Sequence, residues 1–138
     1  MVVVERWIKD TTEYLFEYAL RYITDTNIIP TPKFHMIDAN EKMAIVSCDF
    51  WAETPEEERD YDEFGTVLDR LAESYGAVAS LLVLAGEIGD VSIIGIVTHG
   101  ERAPKFHYKE LIWNGGIPDF SPTITIPWNK GSLKNFKF

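Results

Sequence analysis

The sequence predicts an α+β fold, with two helices packed on a mainly antiparallel sheet of about five strands. Three observations carry that reading. Two segments, Val4 to Ile23 and Tyr61 to Tyr75, repeat apolar residues at three- and four-residue steps, which stacks them on one helical face. Shorter runs rich in β-branched and aromatic residues lie between and after them. Gly89-Asp90 joins two of those runs by a glycine-first two-residue turn, the connection of an antiparallel hairpin.

In the first helix, Val4, Trp7, Ile8, Thr11, Leu15, Tyr18, Ala19 and Tyr22 share a face, and Glu13, Glu17 and Arg21 line another. TDTNIIPTP ends it with turn formers and two prolines. Strands at 33–37 and 43–51 then flank the polar turn DANEK, with Ala44, Val46, Cys48 and Phe50 on one side of the second. The next helix is expected to begin at Thr54 as N-cap, with Pro55 in the first helical position and Glu57 completing a capping box. Its stripe is Tyr61, Phe64, Val67, Leu68, Leu71, Ala72 and Tyr75, and Gly76 stops it. Strands at 77–88, 91–99 and 105–113 follow as a meander. A turn at 114–116 leads into an irregular C-terminal segment, where SPTITIPW holds a short proline-bracketed edge strand. Residues 1–138 read as a single α+β domain.

The meander strands are apolar on both faces. In 77–88, Ala79, Leu81 and Val83 alternate with Leu82, Leu84 and Ile88; in 91–99, Ile93 and Val97 alternate with Ile94 and Ile96. Strands of this kind are dry on both sides. Two helices are expected to cover one side, leaving the other to the C-terminal segment or to a second copy of the chain. The element order resembles that of the roadblock and profilin-like architectures, small dimerising modules. The resemblance lies in order alone, and no functional residue follows from it.

Composition narrows the function classes. The chain is 46% hydrophobic and 25% charged, as ordinary globular proteins are, and a lone cysteine, Cys48, excludes an internal disulfide framework. The N-terminus meets charge after three valines, too early for a secretory leader, and no apolar run is long enough for a membrane span. The cytoplasm is the expected compartment. A net charge of -9 argues against nucleic acid as a partner, because phosphate binding rests on lysine and arginine. The charge is uneven, with 19 acidic and 7 basic residues in 1–100 against 3 and 6 in 101–138. Seven acids crowd into 53–63, a segment that solvates a helix start and offers a surface to a basic protein partner.

PKFH occurs twice, at 32–35 and 104–107, but the flanking residues do not align. Each copy puts a proline before a polar–apolar alternation, the signature of a half-buried strand start, so the two are local solutions rather than a duplicated site. No nucleophile constellation, glycine-rich phosphate loop or closely spaced metal-ligand signature is present. Neither a catalytic residue, a metal nor a cofactor is expected.

One surface does gather chemistry. If residues 100–104 close the last hairpin, His99 pairs with Lys105, and Lys105, His107, Lys109 and Trp113 point to the same side, with Arg102 in the loop. Basic groups beside an aromatic ring suit a flat anionic ligand. The expected function is that of a non-catalytic protein acting by self-association, as a homodimer, and by binding a macromolecular partner. The alternatives are a binder of a nucleotide or phosphorylated metabolite through His99, Arg102, Lys105, His107 and Trp113, and a metal-assisted hydrolase built on His99 and His107.

Overall fold

The computed structural model describes residues 3–129. Helix α1 spans Val4–Thr26 and precedes the hairpin of β1 (Lys33–Asp38) and β2 (Met43–Ser47). A short helix α2 (Asp49–Glu53), a 3₁₀ turn at Glu56–Glu58 and helix α3 (Tyr61–Tyr75) carry the chain to β3 (Ala77–Ile88). Strands β4 (Val91–His99), β5 (Lys105–Asn114), β6 (Ile117–Phe120) and β7 (Ile124–Pro127) complete the described part. All pairings are antiparallel, in the order β2-β1-β3-β4-β5. The last position is shared: β7 lies along Lys105–Tyr108 and β6 along Leu111–Asn114, two pieces of one broken edge strand.

The central strands are dry on both sides, as expected, but each side has its own helix. Leu15, Phe16, Ala19 and Ile23 of α1 pack on Leu81, Val83, Ile94, Ile96 and Leu111. Phe64 and Leu68 of α3 pack on the opposite face, against Phe34, Met36, Leu82, Leu84, Ile93, Val97 and Phe106. The expectation that both helices share one face is therefore corrected. A helix the length of α1 spans about 35 Å, enough to cross several strands spaced about 4.8 Å apart without help. On the other face α3 is shorter, and Trp51 and Trp128 fill the remaining area. Trp128 reaches in from the C-terminal segment, its backbone N–H donating to the Pro104 carbonyl at 3.1 Å and its ring 4.9 Å from Phe106.

Three boundaries move from their expected places, each for a local reason. Helix α1 runs to Thr26 because the Thr24 and Thr26 hydroxyls donate back to the Leu20 and Tyr22 carbonyls, and left-handed Asn27 then closes it. Strand β2 stops at Ser47, where Cys48 donates its N–H to the Pro32 carbonyl and the chain turns into α2. That turn buries Trp51 against Phe64, with ring centroids 4.5 Å apart, and leaves Phe50 outside. Helix α3 begins at Tyr61, not after Thr54. Asp60 is the working cap, one carboxylate oxygen accepting from the N–H groups of Asp62 and Glu63, whereas the Thr54 hydroxyl donates back to the Phe50 carbonyl.

The two PKFH copies do mark strand starts, and they do so in the same way. Pro32 and Pro104 each accept a backbone N–H from the neighbouring segment. Phe34 and Phe106 are buried on the α3 face, while His35 and His107 turn toward the α1 face. Phe106 in turn depends on Gly95, across on β4, where any Cβ would overlap its ring. Because Phe106 is fully buried it has nowhere to move. Gly95→Ala is expected to destabilise the fold by about 1–3 kcal/mol, as overpacking does, read as a lowered urea midpoint with unchanged m value.

Candidate functional site

Between α1 and the β4–β5 end of the sheet lies a groove of about 660 Å³. Its floor is the α1-facing side of β5, where alternation brings Lys105, His107 and Lys109 to one surface beside Thr98 of β4. Arg102 stands at the rim, in the β4–β5 loop. The far wall is α1, which contributes Glu5, Lys9, Glu13 and Glu17 together with the apolar Ile8, Phe16 and Leu20; Phe120 of β6 closes the apolar side. Gly100 sets how tightly the loop sits under the helix, since a Cβ there would come 2.5 Å from Ile8 and 3.0 Å from Val4.

The groove is divided by charge and polarity. Arg102, Lys105 and Lys109 form no ion pair among the described residues. The Lys109 ammonium instead lies over the Phe16 ring at 5.2 Å, which holds it at the boundary between the basic floor and the apolar wall. On the helix wall, Glu5 Oε1 and Thr12 Oγ1 are shielded from solvent with no hydrogen-bond partner among the described residues. An unmet buried polar atom costs about 1–3 kcal/mol, so that wall is short of donors.

His107 has a positioning task. Its Nδ1 lies 2.9 Å from the Thr125 hydroxyl and its Nε2 3.4 Å from that of Thr98, so the ring spans β4, β5 and β7. Burial, and then the Lys105 ammonium, hold it below its ordinary value of 6.5, and it is neutral at physiological pH. Threonine hydroxyls face both ring nitrogens and hold the ring in place. Cys48 is quiescent. It is fully buried, and burial with help from Asp49 pushes its thiol up to about 11.

Of the five residues expected to form a ligand surface, Arg102, Lys105 and His107 come together and the other two do not. Thr98, not His99, pairs with Lys105, so the hairpin register is one residue away from expectation. A slip of one residue sends a side chain to the other face. His99 accordingly belongs to the α3 face, near Asp69, and cannot share an ion or a substrate with His107. Trp113 is on the correct face but at the opposite end of β5, about 27 Å from Lys105 at strand rise, and it is exposed beside Pro118. No group of three or more potential metal ligands occurs among the described residues.

The helix wall was not legible beforehand. Glu5, Lys9 and Glu13 have the pattern of an ordinary solvated helix face, and nothing in α1 states which strands it will cross. The acidic segment 53–63 is a separate feature on the α3 side, largely exposed, with Asp60 committed to its cap. No family model, no curated protein and no solved structure matches the chain. No helix among the described residues is long and apolar enough to cross a membrane.

The histidines give a pH test. His35 repeats the setting of His107, half-buried with Lys33 two residues before it on the same face, and it too is held below 6.5 by burial first and lysine second. A lowered histidine stays neutral in the fold while the unfolded chain takes up its proton. Its contribution to stability is full above the unfolded value near 6.5 and is lost as pH falls through the lowered folded value. The urea midpoint is expected to fall between roughly pH 7 and pH 5, and to fall less steeply in the His35→Gln/His107→Gln double variant. Equal slopes in the two proteins would contradict the assignment.

Proposed function

We propose that the chain is a non-catalytic binding protein whose α1–β5 groove holds a small ligand carrying an anionic group. One observation carries the reading: three cationic side chains with no ion-pair partner among the described residues, Arg102, Lys105 and Lys109, line a walled groove with an apolar side. A phosphate or carboxylate seats against those three by charge-assisted hydrogen bonds. The apolar body of the ligand lies against Phe16 and Phe120. Glu13, Glu17 and Asp119 supply acceptors to hydroxyl or amino groups on its remaining side. Phosphorylated metabolites and nucleotides have this combination of groups. The engaged state of His107 and the raised thiol of Cys48 support holding rather than chemistry.

Self-association no longer follows from the doubly apolar strands, because each of their faces is covered within the chain. A homodimer needs separate grounds, which the β2 edge supplies.

Calorimetric titration with inorganic phosphate, sugar phosphates and nucleotides tests the groove. At least one is expected to bind and to raise the melting temperature. Lys105→Ala and Arg102→Ala are each expected to weaken that binding about 10- to 100-fold, the loss of one charge-assisted hydrogen bond. No heat from any of the three classes, or binding that ignores both substitutions, contradicts the proposal.

A further inference from the structure

The sheet has two edges, and they are treated differently. On the β6–β7 side, Pro118, Pro122 and Pro127 remove N–H donors and Asp119 adds a charge, the usual protection against pairing with another chain. At the other edge, β2 reads Met43-Ala44-Ile45-Val46-Ser47, with neither proline nor charge. Its large side chains are out in solvent, Met43 at 68% and Ile45 at 63% exposed. Among the described residues, β1 is the only strand paired with it.

The phase of the β1–β2 ladder tells which backbone groups are unused. Asp38 N–H donates to the Lys42 carbonyl at 2.9 Å, and Cys48 N–H to the Pro32 carbonyl at 2.8 Å. Antiparallel bonding alternates from residue to residue, so Lys42, Ala44, Val46 and Cys48 turn their backbone groups toward β1. Met43, Ile45 and Ser47 turn theirs outward. We propose that this edge pairs with β2 of a second copy, antiparallel, about a two-fold axis at Ile45.

The occupant follows from register. Two identical antiparallel strands related by a two-fold axis keep their faces matched only when the axis passes through a residue. Centred on Ile45, that residue exchanges both backbone bonds with Ile45 of the second copy, and Met43 exchanges both with Ser47. Every outward group of the strand is then met. Centred on Ala44, Ser47 is left facing the β1–β2 turn, and centred on Val46, Met43 is left facing the start of α2. Within 43–47 the centred register also sets Ile45 against Ile45 and Ala44 against Val46, with no charged residue in the ladder. Among the described residues nothing protects the β2 edge, and the strand is self-complementary along that edge, which points to its own copy rather than an unrelated peptide. This pairing is independent of the groove, which lies at the other end of the sheet order.

Sedimentation equilibrium of the full chain, combined with amide exchange, tests the pairing. A dimer is expected, with the N–H groups of Met43, Ile45 and Ser47 slowed at concentrations where it forms and fast below them. Ile45→Pro removes an outward N–H without touching the β1 ladder, and Ile45→Lys places like charges across the axis. Each is expected to weaken association at least about tenfold with unchanged far-UV circular dichroism, while Ile124→Lys on the opposite edge leaves the dimer intact. A monomer at all concentrations overturns the proposal. So does a dimer in which the Ile45 amide exchanges as fast as in the monomer, since association then uses another surface or another kind of partner strand. Should both Ile45 variants fail to fold, the exchange readout on the unaltered chain decides alone.

Discussion

Leu81 and Leu82 are neighbours in sequence and both are dry, yet they face different helices. That opposition organises the molecule. Strands β3 and β4 have no polar side to give to water, so the chain must bring a cover to each face, and α1, which precedes the β1–β2 hairpin, covers one while α3, which follows it, covers the other. Burying side chains of this size contributes about 1.5–3 kcal/mol each, more than any surface ion pair in the molecule can. The two proposed sites lie where that cover ends. The groove opens where α1 passes the β5 end of the sheet, and β2 forms the opposite edge, with Ala44 and Val46 packed toward the α3-side core and Ile45 and Ser47 on the α1 side.

Much of this was readable from residue types. The helices, the meander and the turn at 114–116 follow from periodicity and glycine placement, because their determinants lie within a few residues of one another. The PKFH repeat is the sharpest instance. In both copies proline precedes the strand, phenylalanine enters the α3-side core and histidine faces the other way beside a lysine. The same four residues meet the same local physics twice, with no common site behind them.

What could not be read is whatever depends on distant partners. Thr54 and Glu57 have the letters of a capping box, but Asp60 wins because starting at Tyr61 lets that ring and Phe64 meet Trp51. Cys48 has the alternation of a strand residue and still bonds the Pro32 carbonyl, but the chain turns into α2 at the next residue so that Trp51 can meet Phe64. Register at the β4–β5 hairpin differs by a single residue, and that sufficed to move His99 away from Lys105 and His107. The basic floor of the groove was legible as alternation along β5. Its acidic and apolar wall was not, because the sequence of α1 does not state which face of which strands it covers.

The central claim is that one chain dries both faces of its own central strands, and paired substitutions at 81 and 82 test it most directly. Leu81→Ala and Leu82→Ala are each predicted to destabilise the fold by about 2–5 kcal/mol in urea unfolding, and by the same amount at low and high protein concentration. A substitution costing under about 0.5 kcal/mol would show that its side is open to water. A cost that grows with protein concentration would show that a second chain, not a helix, covers it.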